Sequence, residues 1–299
     1  MFSSLSGFAR FISVERGFML FMISVGASFL TAETAVWSSA LFLGLIAFCI
    51  WSAADSINNV FDVELDVLSD PLRAEFTKRL GKVGLIIVFV FTGLSLALGA
   101  ATMMPLVFLF VALGLVFGVL YSVPPFRLRK TRYKPVVNFT VGAVPVMIVA
   151  AYFGVSSFSV VSLVVLIGVT TAVNSLWEDL ADYASDFASG ARTVPVMFGF
   201  RVGLLFTVAM GYAMIPLMVL VGVFFELPLL YYVALSVLAV FISLRLIQKR
   251  QILLSAIEVD SKHLFGLGET LARDFVVIAI MFTLTLMLSS LLKIPNVLF

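Results

Sequence analysis

Charge is what this sequence has least of. Only 12% of its 299 residues are charged, against 62% hydrophobic, and the mean hydropathy is +1.16. A soluble domain carries about 25% charged residues. Without them a chain of this length has no polar exterior to place around a core. Cysteine is almost missing: Cys49 stands alone, which excludes an intramolecular disulfide framework and a multi-cysteine metal centre. Set in an apolar run, it reads as a small buried hydrophobe. The net charge of +2 is too small for bulk electrostatic capture of nucleic acid.

What fills the chain instead is long apolar runs. A helix needs roughly 20 apolar residues to cross the hydrocarbon core of a bilayer. Such runs lie at about 12–31, 36–57, 83–103, 105–121, 135–153, 157–177, 202–223, 228–247 and 274–292. The sequence therefore predicts an all-α, polytopic membrane protein with about nine transmembrane helices. The first run is too long for a signal-peptide core and lacks a convincing cleavage site, so it reads as a retained span.

The few basic residues are distributed unevenly. The connections near 32–35, 104, 154–156 and 224–227 contain no Lys or Arg. In contrast, 18 of the 19 basic residues fall at the N-terminus or in and around the connections near 58–82, 122–134, 178–201 and 248–273, leaving only Lys293 opposite. The positive-inside bias places the N-terminus and the long connections in the cytoplasm.

Two of those connections resemble each other. Asn58-Asn59-Val60-Phe61-Asp62-Val63-Glu64-Leu65-Asp66 and Glu178-Asp179-Leu180-Ala181-Asp182-Tyr183-Ala184-Ser185-Asp186 align at a shift of 120 residues. Four spans separate them, so the repeats share one orientation. The expected organisation is one membrane domain of two four-helix units, roughly 12–134 and 135–250, plus a ninth helix. Repeated units often place a functional site at their interface.

Residues four apart share a helix face. Asn58, Asp62 and Asp66 thus form a polar stripe leaving the second span. Glu178, Asp182 and Asp186, with Asp179 beside them, form a stripe leaving the sixth. Brought together, the carboxylates would repel one another and their pKa values would rise. A divalent cation relieves that repulsion, and Mg²⁺ is characteristically held by one or two carboxylates plus phosphate oxygens. Two facing Asp pairs suit two Mg²⁺ ions bridged by a diphosphate. Asp55 is open to two readings, as a site residue or as a polar residue facing the bundle interior. Arg73 and Arg192 follow the stripes at nearly repeated positions and supply forked donors for phosphate. Lys78, Arg79, Lys134 and Lys249 read as topology signals only. His263, the only histidine, reads as a solvated loop residue, and Gly266-Leu267-Gly268 is too short for a phosphate loop.

These residues resemble the UbiA superfamily of intramembrane prenyltransferases. Asn58-x-x-x-Asp62-x-x-x-Asp66 is similar to its first aspartate-rich motif. Asp179-x-x-Asp182-x-x-x-Asp186, followed by Gly190-Ala191-Arg192-Thr193-Val194-Pro195, is similar to its second. Tyr121-Ser122-Val123-Pro124-Pro125-Phe126-Arg127-Leu128-Arg129-Lys130 resembles the tyrosine and basic signature after the fourth helix. The resemblance spans nearly the whole chain. Departures are Asn59, where the family often has Asp, and Asp70-Pro71-Leu72-Arg73-Ala74, which keeps only part of the usual Pro-x-Arg-Pro segment.

The resemblance implies helices around a central cavity open to the cytoplasmic face and sideways to lipid. It implies Mg²⁺-assisted loss of diphosphate from an isoprenyl diphosphate donor, followed by attack of a lipophilic or aromatic acceptor on the allylic cation. By the same resemblance Asn58, Asp62, Asp66, Asp182 and Asp186 are metal ligands, and the four aspartates are catalytic. Arg73, Arg127, Lys130, Asp179 and Arg192 bind substrate, and Tyr121 lines the site. Quinone-precursor acceptors are favoured by the Tyr-Ser-x-Pro-Pro segment, with an ether-lipid glycerol phosphate or haem as alternatives. A transporter rocking about a cation site is the rival from another class, and it requires inverted repeats or helices broken at the midplane.

Overall fold

The computed structural model describes residues 2–34, 36–69, 71–255 and 261–294. Among them, nine helices are long and apolar enough to cross a membrane. They are α2 (Val14–Ala32), α3 (Trp37–Ser69), α5 (Lys82–Ala101), α6 (Pro105–Ser122), α7 (Lys134–Phe153), α8 (Phe158–Ala181), α11 (Phe200–Phe224), α12 (Leu229–Ser255) and α13 (Ser261–Lys293). Four shorter helices sit among the long connections: α1 (Phe2–Phe11), α4 (Pro71–Leu80), α9 (Tyr183–Ala188) and α10 (Val194–Phe198). A 3-10 turn covers Leu128–Lys130. The spans agree with the expected ones to within a few residues except on one side. There α3 runs on to Ser69, α8 to Ala181 and α12 to Ser255, while α13 starts early, at Ser261.

Those extensions decide what the polar stripes are. An apolar run marks only the part of a helix that lies in lipid; hydrogen bonding carries the helix on past it. Asn58 and Asp62 therefore stand on α3 itself, two or more turns before its end. On the opposite side the connections are tight. Gly154 closes α7 in the left-handed conformation, a backbone state that glycine enters without penalty. Ser157 then caps α8, its side chain accepting from the Val160 amide at 3.3 Å.

Small residues govern which helices sit inside. α2 is buried along most of its length and carries Gly17, Ser24, Gly26, Ala27 and Ser28 on its buried surface. Without bulky side chains it packs closely on α3, α7 and α13. α7 and α8 meet through Gly142 against Thr171 and Gly168 against Phe139. α5, α11 and α12 are peripheral, and large side chains such as Phe89, Leu205 and Val240 point outward. Exposed apolar surface on that scale is suited to lipid. The long helices are uninterrupted, with Pro145 and Pro216 both accommodated inside helices. The broken spans that a transporter would require are not found among the described residues.

Candidate active site

α3 turns one face inward. Trp51, Asp55, Asn58 and Asp62 follow at steps of four, three and four, so they lie in a line of about 16 Å along the helix. α8 does the same with Thr171, Asn174 and Glu178, and Asp182 is its C-cap residue. Apart from Asp62, all of these line a single cavity of about 250 Å³ between α2, α3, α4, α6, α7 and α8. Trp51 and Thr171, Asn58 and Glu178, and Asp62 and Asp182 are each 120 residues apart, the spacing of the sequence repeat.

Four cations share that cavity with the carboxylates: Arg16, Arg73, Arg129 and Lys134. Arg16 pairs with Glu178 at 2.9 Å. Lys134 pairs with Asp179 at 2.6 Å and approaches Glu178 at 3.7 Å. Asp62 is fully buried just behind the wall. It accepts from Arg127 at 2.5 Å and from Arg129, and Arg129 also donates to Asn58 Oδ1 at 2.9 Å. Ser122 donates to the same amide oxygen at 3.2 Å. Asp62, Glu178 and Asp179 thus each face a cation, the compensation that a buried carboxylate requires.

Outside the spans, burial pushes the carboxyl groups of Asp182 and Asp186 above the usual carboxylate range. Lys134 and Arg129 pull both part of the way back, and Asp182 raises Asp186 further. Lys130 shifts the other way: burial, then Arg127 and Arg129, lower its ammonium pKa.

Among the described residues no three His, Cys, Asp or Glu side chains are gathered into a ready metal site. The wall nevertheless has the chemistry of one. Asp55 Oδ2 and Asn174 Oδ1 are buried in it without a hydrogen-bond partner, as is Asp179 Oδ2 behind it. Hard oxygens next to arginine forks fit a Mg²⁺ ion that takes its remaining ligands from phosphate and water.

Beyond Trp51 the polar cavity gives way to an apolar chamber of about 100 Å³ between α2, α3, α8, α11 and α13, with Leu20, Ile23, Met218 and Phe282 in its wall. Arg16, Trp51, Thr171 and Asn174 line both spaces. The chamber in turn shares Thr170, Met214 and Ile278 with a lateral cleft of about 70 Å³. Arg245 and Asp274 face that cleft and form an ion pair at 2.5 Å.

Residues 19–255 match the UbiA prenyltransferase family. The chain belongs to this family. It is an integral, multi-pass membrane protein and an intramembrane prenyltransferase. Solved structures share its fold at low identity. A digeranylgeranylglyceryl phosphate synthase is 15% identical with a TM-score of 0.60, over 96% of this chain and 98% of that one. A UbiA homologue from Archaeoglobus fulgidus bound to GPP and Mg²⁺ is 17% identical with a TM-score of 0.60, over 92% and 99%. The same homologue bound to DMAPP and Mg²⁺ gives 17%, a TM-score of 0.60, and 92% and 98%. No curated protein matches the sequence.

Set on this UbiA fold, the residues singled out in the sequence fall into three groups. Asn58, Arg73, Tyr121 and Asp182 line the polar cavity. Asp62 and Asp179 are buried against it in ion pairs. Asp186, Arg127, Lys130 and Arg192 lie outside its lining. Arg192 is exposed, and its amide donates to the Lys130 carbonyl at 2.8 Å. The side chains of Asp66, Lys249 and His263 lie outside the described residues.

Several lining residues were missed or set aside. Lys134 is no topology signal: it is 5% exposed and paired with Asp179. Its place at the start of an apolar run, opposite a second acidic stripe, was the available clue. Asp55, open to two readings in the sequence, lines the cavity. Arg129 enters the lining where Arg127 and Lys130 do not. Arg127 has left-handed backbone (φ 41°) and the 3-10 turn follows it, so side-chain directions there have no helical period to read. Arg16, Asn138 and Asn174 carried no sequence signal beyond being polar within or beside apolar runs.

Proposed function

We propose that this prenyltransferase takes an isoprenyl diphosphate as donor and passes the isoprenyl group to a lipophilic or aromatic acceptor of the quinone-precursor type. One observation carries the reading. A cavity holding both carboxylates and arginine forks adjoins, at Trp51, an apolar chamber inside the bundle. A diphosphate fits the first space and a hydrocarbon tail the second.

Asn58, Asp62 and Asp66 on one side, and Asp182 and Asp186 on the other, would hold Mg²⁺, two ions in all, with Asp55 and Glu178 nearby. The metal, when bound, neutralises the charge that builds on the departing diphosphate. Arg73, Arg127, Arg129, Lys130, Lys134 and Arg192 supply donors to the same group, and Tyr121 lines its pocket. Arg127 and Arg129, which now cover Asp62, would turn to phosphate oxygens as the donor enters and release that carboxylate to the metal. The apolar walls exclude water that would otherwise capture the cation. The two four-helix units, 12–134 and 135–250, each contribute one stripe. The stripes, the N-terminus and the long connections face the cytoplasm.

A second acceptor class has a specific observation in its favour. One structural relative is a digeranylgeranylglyceryl phosphate synthase aligned over nearly both full chains, so a glycerol-phosphate hydroxyl is the alternative.

The deciding experiment is binding of geranyl and geranylgeranyl diphosphate to the purified protein, first with Mg²⁺ and then with EDTA. Binding that needs Mg²⁺ and is lost in Asp182→Ala is expected. Equal binding in EDTA, or full turnover in both Asp62→Ala and Asp182→Ala, would remove the metal site.

A further inference from the structure

On the reading above, the diphosphate lies in the polar cavity and the tail in the apolar chamber. The bond that breaks joins the two, so it must lie where the spaces meet. Four residues line both: Arg16, Trp51, Thr171 and Asn174. Tyr121 lines only the polar side and Phe282 only the apolar side. Trp51 is thus the one aromatic residue at the junction among the described residues.

Its position on α3 makes this a built arrangement. Going toward the stripe, the same helix face presents an indole, then the Asp55 carboxylate, then the Asn58 amide. The order matches an allylic group followed by the oxygens of a leaving group and its metal. Indole has the strongest cation-binding face of the natural side chains. The Trp51 Nε1 is buried without a partner, so no protein hydrogen bond ties the ring to another duty. Arg16 would repel a cation here, but Glu178 at 2.9 Å balances its charge.

We propose that Trp51 is a catalytic residue whose ring faces C1 of the donor and stabilises the allylic cation. The C1–O bond breaks and both electrons leave on the diphosphate oxygen. The positive charge left on the allylic carbons lies against the indole. An electron pair of the acceptor then forms the new bond to C1, and the proton it displaces passes to the released diphosphate. No bond to Trp51 forms.

The test needs no knowledge of the acceptor. Geranyltrimethylammonium, a permanent cation, is compared with its uncharged tert-butyl isostere for binding to the full-length protein in nanodiscs, with inorganic diphosphate and Mg²⁺ present. The cation is expected to bind roughly tenfold or more tightly than the isostere. Trp51→Leu should reduce that preference several-fold; what the diphosphate and Asp55 contribute to it remains, and Mg²⁺-dependent geranyl diphosphate binding that stays measurable shows the variant is folded. Fluorinated tryptophan, which weakens the π face without changing its shape, should reduce the preference stepwise and serves if Trp51→Leu fails to fold. A preference undiminished by either change, or absent from the wild type while geranyl diphosphate binds, overturns the role of Trp51 alone. Failure of the wild type to bind geranyl diphosphate overturns the donor site and this inference with it.

Discussion

Lys134 shows how much rests on single buried charges. With Asp179 fully buried at 2.6 Å from its ammonium, removing the lysine would leave a carboxylate with no counter-charge. Lys134→Met should therefore destabilise the protein by about 3–5 kcal/mol, read as a fall in the melting temperature. Adding Asp179→Leu should restore much of that stability, since neither charge then remains, but not activity. A double variant no more stable than the single one would mean the pair is not what holds α7 to α8 here. Asp182 and Asp186 give a pH dependence. Burial raises both in the metal-free protein. Raised carboxyls favour the folded state while protonated, and that contribution is lost as pH rises through their folded pKa values. Mg²⁺ needs them ionised. The thermal shift from adding Mg²⁺ and diphosphate should be large at neutral pH and shrink on acidification, starting above the normal carboxylate range. A shift independent of pH down to that range would exclude them as ligands.

At the scale of elements, α3 matters most. Its 33 residues measure about 50 Å, against a hydrocarbon core of about 30 Å. The surplus carries the helix on past its apolar run and keeps the stripe in register with Trp51 and Asp55. A proline at position 63 would remove one backbone hydrogen bond and clash with the preceding turn, at about 3 kcal/mol. Val63→Pro is expected to insert normally and to lose Mg²⁺-dependent donor binding, because Asp66 would no longer share a face with Asp62. Unchanged binding would show that the far end of the stripe is dispensable.

Across the whole molecule, three spaces follow one another from the carboxylates to the lateral cleft, through residues that each pair of neighbours shares. Met214 stands at the neck between the chamber and the cleft. A larger side chain there should matter only to a tail long enough to reach it. Met214→Trp is expected to weaken geranylgeranyl diphosphate binding by tenfold or more and to leave geranyl diphosphate nearly unaffected. An equal effect on both donors would place the tail elsewhere.

The sequence by itself determined the spans, because nine apolar runs have no stable alternative to crossing a bilayer as helices. It also determined the two acidic stripes, because a four-residue period needs only a helix to place Asn58 with Asp62 and Glu178 with Asp182. It could not decide which cations join them. Arg16, Lys134 and Arg129 reach the cavity from α2, α7 and the turn after α6, and no local pattern states which distant helix a side chain will meet. The helix ends were hidden for a related reason: hydropathy records the lipid boundary, whereas α3 and α8 end where their hydrogen bonding stops. Trp51 was one aromatic among many in the sequence. Only the packing of α2, α3, α8, α11 and α13 set it where a polar space meets an apolar one.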